Sequence, residues 1–383
     1  MGVAKFVRAR RSMFRLRADA PFTPPVSLLK PLHGMEPQLE RNLESFFAQQ
    51  YSGPWELLFC ARSAADPALQ LAQQIALRYP SVSARFLVSG EPPWASAKVW
   101  SLELMSREAR YDLLIISDSD VEVGSDYLSS ITAPFRDAQV GCLTCLYRGK
   151  PAGGIWSRLE ALGMSVEMTS GVVIANMLEG MKFALGPTMA CRRAALADIG
   201  GCETLSHYYS DDFILGNHIA AAGWNVVLSD YSIDHIVMNR RFLASMEHQV
   251  RWMTSTRFSR PKGHFGTGLT FAVPYGILAL LSAVALHHAA LGFALFAWTI
   301  ITRIIQSVIV GGMVVRDRRA VRDAWLFPLR DVMGFFFWIA SYFNSTILWR
   351  GQRFKFGEQG RMVPLSHPAA GTVAARSVEP STR

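Results

Sequence analysis

Leu113-Leu114-Ile115-Ile116-Ser117-Asp118-Ser119-Asp120-Val121-Glu122 runs from four apolar residues straight into two carboxylates spaced i, i+2. A continuous apolar run bounded by polar residues reads as a strand buried on both faces. The C-terminal ends of strands are where open α/β sheets bind ligands. Two aspartates leaving a strand one residue apart can both turn toward one divalent cation. Carboxylate oxygens suit Mg²⁺ or Mn²⁺, and Mg²⁺ completes its shell with phosphate oxygens and water. A plain surface loop, where Asp and Ser are also common, fits the same ten residues.

The flanking chain supplies the context. Residues 26–29 read as a strand that Pro31 ends, because proline cannot donate to a ladder. A helix is expected over 36–49, a strand over 56–61 leading to Asp66-Pro67, a helix over 68–79 and a strand over 82–88. A helix over 95–110 carries Lys98. This alternation predicts an α/β fold on a mostly parallel, Rossmann-like sheet. Beyond it, 140–148 reads as a strand and 154–181 as a helix with small-residue turns. The helix over 193–199 is ended by Gly200-Gly201. Ser210-Asp211-Asp212 reads as an N-cap with an acidic first turn, and 226–228 as a strand.

No GxGxxG follows the first strand and no GxxxxGK[ST] occurs. Both absences count against a dinucleotide oxidoreductase and a P-loop NTPase. A haloacid-dehalogenase phosphatase also places DxD after a strand. It wants Thr or Val four residues after the first Asp, and this chain has Glu122.

The 383 residues carry a formal charge of +9 and are 50% hydrophobic. The cations cluster at 8–17, 240–260 and 316–322, beside apolar segments. Such placement suits anionic lipid head groups better than nucleic acid, so no nucleic-acid partner is expected. Cys142-Leu-Thr-Cys145 is a single CxxC among five cysteines. Without a partner pair it reads as buried thiols, since structural zinc needs four ligands. The first residues lack the apolar core of a signal peptide and read as an amphipathic or disordered basic arm.

Apolar segments at 268–286, 289–315 and 332–349 are long enough to span a bilayer. Arg303 lies inside the second and should face protein, a head group or an aqueous cleft. The basic stretches 251–262 and 316–322 both belong on the cytoplasmic side. A third full span would put Arg350, Arg353, Lys355 and Arg361 outside, against that rule. The segment 324–349 is therefore expected to be partly interfacial or re-entrant. Four regions result: a basic arm (1–24), a catalytic α/β domain (25–262), a membrane domain (263–350) and a polar tail (351–383).

The pieces together resemble a known family. Val26-Ser-Leu-Leu-Lys-Pro-Leu-His-Gly34, Asn42-Leu-Glu-Ser-Phe-Phe47, Ala65-Asp-Pro-Ala68, Asp118-Ser-Asp120, Gly186-Pro-Thr-Met189, Asp211-Asp212, Arg251-Trp252 and Trp349-Arg-Gly351 occur in a recognisable order. This is similar to family 2-type glycosyltransferases of the GT-A fold, and most to the ceramide glucosyltransferase branch, family 21. A bacterial group acting on hopanoid lipids is closely similar. Two features depart from the family pattern. Its (Gln/Arg)-x-x-Arg-Trp starts here with His248, Gln249 standing one place later. The family's usual N-terminal transmembrane helix is not seen in this sequence: either the start is truncated or the basic arm replaces the anchor.

The resemblance implies roles. Asp66 would contact the uracil and ribose of a UDP-sugar, with Lys30 and Lys98 also on the donor side. Asp118 and Asp120 would hold the diphosphate, through Mg²⁺ or Mn²⁺ at Asp120. Asp212 would be the general base, Asp211 raising its pKa by like charge. Arg251 would stabilise the departing diphosphate, and Trp252 would pack by the acceptor or sugar. One sugar, glucose favoured, would pass with inversion to the hydroxyl of a membrane lipid such as ceramide. The resemblance places such an enzyme in a bacterial inner membrane with its catalytic domain in the cytoplasm. A non-catalytic lipid-binding scaffold is the remote alternative.

Overall fold

The computed structural model describes residues 1–19, 22–239, 241–349 and 352–365. Eight strands form the main sheet: β1 (Val26–Pro31), β2 (Trp55–Ala61), β3 (Ser83–Val88), β4 (Leu113–Ser117), β5 (Val121–Glu122), β6 (Val140–Pro151), β7 (Thr188–Arg192) and β8 (Asn225–Val237). Their order is β3-β2-β1-β4-β7-β6-β8-β5. β3, β2, β1 and β4 are parallel, as are β6 and β8. β7 runs antiparallel between β4 and β6, and β5 pairs antiparallel with β8. The expected α/β class with a mostly parallel sheet is therefore found. β1 reaches two residues beyond the expected 26–29 and ends at Pro31 as expected, the last position being where its missing N–H costs least.

The apolar run of β4 has a simple cause. Leu114 and Ile116 enter one core cluster, Leu113 and Ile115 the other, on opposite faces of the sheet. Both faces are covered, so Leu113 to Ile116 are all apolar, and only Ser117 at the strand's end is polar. Each such buried side chain contributes about 2 kcal/mol of transfer free energy. All five cysteines are buried free thiols.

The helix starts follow local chemistry. Asp66 caps Pro67–Arg78 by accepting from Ala68 N, with proline in the first turn. Ser96 caps Ala97–Glu108 through Val99 N. Ser210 occupies the expected N-cap position of Asp211–Ala221, but its side chain makes no capping bond. Its hydroxyl instead pairs with Ser255 on helix Phe242–Ser259. A tertiary partner has replaced the local one.

The basic arm is ordered: Gly2–Asp19 is a helix. Phe6 joins the core, and Arg10 donates to the Val314 carbonyl at 3.0 Å. The segment 154–181 is one helical run, Ile155–Glu179, with a π-helical turn at Gly163–Met168. Over half of its most apolar stretch is buried in protein.

Ala289–Val314 is long and apolar enough to cross a membrane, and 11% of its most apolar window is buried. Pro261–Gly268 and Val273–Ala285 form a pair bent by 44°. The third apolar segment is not one helix. Phe327–Tyr342 has 16 residues, about 24 Å at 1.5 Å per residue, and the chain then extends into β9 (Thr346–Trp349). Arg303 faces protein as expected: Nη1 donates to Asp331 Oδ1 at 3.2 Å and to Thr270 O at 3.1 Å.

β9 pairs with β10 (Gln352–Phe356), and β10 with β11 (Met362–Pro364), all antiparallel. This small sheet returns to the α/β domain. Met362 N donates to His207 O at 2.7 Å, and Tyr209 N to Gly360 O at 3.3 Å. Residues 352–365 thus lie on the same side as the α/β domain. Any membrane crossings made by 261–349 must then be even in number. The expected tail from residue 366 on, and Arg350-Gly351 of the quoted motif, lie outside the described residues.

Candidate active site

The end of β4 is clamped before its carboxylates are placed. Lys30 Nζ donates to Asp118 O at 2.6 Å, and Asn42 Nδ2 to Ser119 O at 3.2 Å. Ser119 Oγ donates to Glu36 Oε2 at 2.9 Å. Ile236 N donates to Asp120 O at 3.0 Å, tying the segment to β8. With the backbone held from both sides, the two side chains have little freedom. Lys30 is fully buried with its ammonium 3.6 Å from the Phe46 ring centroid. Burial pulls its pKa down to about 7.

Lys98, in the first turn of helix Ala97–Glu108, lies 2.8 Å from Asp118 Oδ1 and 3.7 Å from Asp211 Oδ2. Burial works against its charge, but Asp118 and Asp211 outweigh it and raise the pKa. Asp118 is pushed up by burial, with Lys98 opposing. The resemblance places Lys98 only on the donor side. The structure makes it the cation that bridges the two acidic motifs.

Asp211 and Asp212 open helix Asp211–Ala221. Asp212 Oδ2 accepts from Gly186 N at 2.6 Å. Burial, and then the charge of Asp211, raise Asp212 to about 6. A side chain at Gly186 would bring its Cβ within 3.0 Å of that oxygen, which accounts for glycine there.

Asp120 faces His235, with Oδ1 3.4 Å from Nδ1. Burial favours protonation of Asp120, but His235 and the nearby lysines outweigh it, and its pKa falls below the usual range. His235 is disfavoured as a cation by burial, but Asp120 raises its pKa overall. Both facing atoms are buried and lack a hydrogen-bond partner among the described residues. Sequence reasoning missed His235 because it ended β8 at residue 228. The strand runs on to Val237, and the polar residues Ser229, Asp230, Ser232 and Asp234 hide it.

Arg251 and Trp252 lie on helix Phe242–Ser259. The Nε of Arg251 is buried and has no hydrogen-bond partner among the described residues. The leading residue of the motif, His248, places Nδ1 2.7 Å from Glu160 Oε1. Its ring centroid is 4.4 Å from that of Trp252. Glu160, only 1% exposed, also accepts from Ser245 Oγ at 2.6 Å and Asn239 Nδ2 at 3.0 Å. Gln249 turns inward instead and donates to Ser245 Oγ at 3.0 Å. Glu160 was not apparent from sequence, since it sits in an apolar helix 88 residues before its histidine.

Lys98, Asp118, Asp120, Asp211, Asp212, His235, Arg251 and Trp252 all line one cavity of about 1580 Å³. Lys30 and Asp66 lie behind its wall. Asp66 uses its carboxylate on Ala68 N and on Gly34 N, at 2.9 and 3.1 Å. It fixes the loop after β1 rather than facing the cavity directly.

The family model described as Glycosyl transferase family 21 matches residues 2–362. The chain belongs to that family. It is a glycosyltransferase. Among curated relatives, it is 25% identical to ceramide glucosyltransferase 1 of Caenorhabditis elegans, over 94% of this chain and 77% of that protein. It is 24% identical to ceramide glucosyltransferase 3 of the same organism, over 89% and 74%. Among solved structures, a mannosyltransferase from Pyrobaculum calidifontis in complex with GDP-Man and Mn²⁺ aligns with a TM-score of 0.48. That alignment has 15% identity and covers 87% of this chain and 96% of the other.

Proposed function

We propose that this family 21 glycosyltransferase moves one sugar, glucose favoured, from a UDP-sugar to the hydroxyl of a membrane lipid such as ceramide, with inversion. The observation that carries the reading is the cavity itself. It is lined at once by the acidic motifs and Arg251, and by Phe271, Arg303 and Val310 of the apolar C-terminal segments. A charged, water-soluble donor and a membrane-embedded acceptor need such a shared chamber. The curated relatives named above as ceramide glucosyltransferases support the choice of lipid and sugar.

Asp212 is the general base. Its pKa near 6 leaves it ionised at neutral pH yet basic enough to accept a proton from the attacking hydroxyl. Gly186 N–H fixes the orientation of this carboxylate, which lines the cavity that the acceptor enters. The hydroxyl oxygen forms the new bond at the anomeric carbon while the bond to the diphosphate oxygen breaks. Arg251 stabilises the charge that builds on the departing diphosphate. Lys98 offsets the charge of Asp118 and Asp211 before donor arrives. Trp252, packed on His248, forms the wall beside the sugar and acceptor. Asp66 and Lys30 act from behind, shaping the loop after β1 and the Asp118 backbone.

The residues fit a divalent cation. Asp120 Oδ1 and His235 Nδ1 are buried, face each other and lack hydrogen-bond partners among the described residues. These two atoms would hold Mn²⁺ or Mg²⁺, with Asp118 adjacent. Among the described residues no three His, Cys, Asp or Glu side chains converge as a metal site, so diphosphate oxygens and water would have to complete the shell. Bound there, the ion would neutralise diphosphate charge.

The test is incubation of membranes containing the protein with a panel of UDP-sugars and lipid acceptors. Products are identified by mass spectrometry and their anomeric configuration by NMR. A β-linked glucosyl lipid from UDP-glucose is expected. Transfer only to soluble acceptors, or a retained α linkage, overturns the reading.

A further inference from the structure

Most glycines in the apolar helices are required by packing. A Cβ at Gly268 would meet Trp338 at 2.3 Å, at Gly276 Thr299 at 2.4 Å, and at Gly334 Phe271 at 2.7 Å. Gly171 and Gly266 differ. A Cβ on either would meet no atom within 4 Å. Both lie within helices, Gly171 in Thr169–Glu179 and Gly266 in Pro261–Gly268. Neither has the positive φ that favours glycine. Glycine at such a position weakens a helix relative to alanine, and no close contact here offsets that. What the two share is the cavity: both line it.

The wall at this end mixes polar residues, among them Ser170, Thr267 and the Arg260–Glu179 ion pair, with apolar side chains that continue onto the outer surface. Ile174 and Leu178, on the helix of Gly171, line the cavity and are also exposed; Phe265 and Leu269, beside Gly266, are exposed on the outer surface. Next in sequence come the apolar helices, with Leu278, Leu281, Leu291 and Trp298 exposed. Of the polar groups in the cavity wall, Arg330 is ion-paired through Nη2 with Glu167 at 3.0 Å and keeps a second donor. Arg330, 4% exposed, lines the cavity with Nη1 unpaired among the described residues.

We propose that Gly171 and Gly266 hold open a portal through which the hydrocarbon chain of the acceptor lipid enters the catalytic cavity. Arg330 donates from within it to an oxygen of the lipid's polar linkage. The occupant is a lipid chain because the portal joins a charged catalytic chamber to helix faces that are apolar and exposed. A nucleotide sugar has no use for either. This inference rests on the lipid-acceptor reading above.

The test uses full-length protein in detergent and the variants Gly171→Leu, Gly266→Leu and Gly171→Ala. Three quantities are read: thermal midpoint, UDP affinity by calorimetry, and transfer to ceramides of long and short acyl chain. The leucine variants are expected to keep UDP affinity and a midpoint no lower than that of the parent. They should lose about tenfold or more in kcat/KM for long-chain ceramide, with a smaller loss for the short-chain one. Gly171→Ala should raise the midpoint and leave transfer within a few-fold of the parent. Unchanged long-chain transfer in both leucine variants overturns the portal. So does a loss of UDP affinity or of thermal stability, which would make the glycines structural. If the parent protein itself glycosylates no lipid, the acceptor reading fails instead, so the two failures are distinct. As a second readout, a ceramide with a diazirine in its acyl chain should crosslink to residues around 171 and 266. Labelling confined to the outer face of 289–314 would overturn the portal.

Discussion

The backbone N–H of Gly186 points at Asp212 Oδ2 from 2.6 Å, at the start of helix Asp211–Ala221. This contact fixes the orientation of a carboxylate that lines the cavity. Asp212→Asn is expected to lower kcat by about 10³-fold, within the range of general-base removal, while UDP affinity is kept. Gly186→Ala, whose Cβ would lie 3.0 Å from Oδ2, should displace the carboxylate and cost about tenfold in kcat with little change in KM for the donor. Wild-type turnover in Asp212→Asn would remove the base assignment.

The pH profile follows from the raised Asp212 pKa. Its ionised form is disfavoured by burial and by Asp211, so the proton leaves near pH 6. A base must be deprotonated, so kcat/KM should fall with unit slope as pH drops below that value. Asp211→Asn removes the like charge and should move the acid limb to lower pH. A limb that stays put would assign the titration to another group.

Lys98 lies between Asp118 and Asp211, with side chains 25%, 28% and 15% exposed. Lys98→Met leaves those carboxylates without their cation and should destabilise the fold by about 1–3 kcal/mol, partial exposure tempering the cost. Adding Asp118→Asn should restore part of the stability but no activity. Thermal melts in detergent and transfer assays separate the two effects.

EDTA should stop transfer, and Mn²⁺ or Mg²⁺ should restore it. Mn²⁺ titration followed by EPR in the presence of UDP should weaken by about 10–100-fold in Asp120→Asn and in His235→Ala. Equal Mn²⁺ affinity in parent and His235→Ala would exclude the imidazole as a ligand.

Glu160 accepts from Asn239, Ser245 and His248 in a buried setting. Glu160→Ala strands these donors and should cost about 3 kcal/mol of stability. It should also loosen the helix that carries Arg251 and Trp252. Arg251→Ala alone should leave stability within about 0.5 kcal/mol yet lower kcat by about 10²-fold.

The sequence carried the fold wherever one element was covered on both faces. β4 announced itself because Leu113 and Ile115 pack one way and Leu114 and Ile116 the other. It also carried the acidic motifs, because they sit at the ends of legible elements. It did not carry His235, since β8 continues for nine residues past 228 under polar side chains that mimic a loop. It misassigned the Ser210 hydroxyl, because a local cap and a tertiary partner are indistinguishable until Ser255 is brought alongside. Glu160 and His248 meet only through helix packing, and neighbouring residues give no sign of that.

The small sheet of β9, β10 and β11 has a consequence for how the enzyme is made. Met362 and Gly360 hold His207 and Tyr209, immediately before Ser210-Asp211-Asp212. The loop that presents the base is therefore braced by residues translated some 150 positions later, after the apolar helices. A ribosome-bound chain can finish β1 to β8 and still lack that brace. The brace forms only once the apolar segments have emerged and the tail has doubled back. Chains released before about residue 360 would carry every acidic motif and lack this brace of the loop before them.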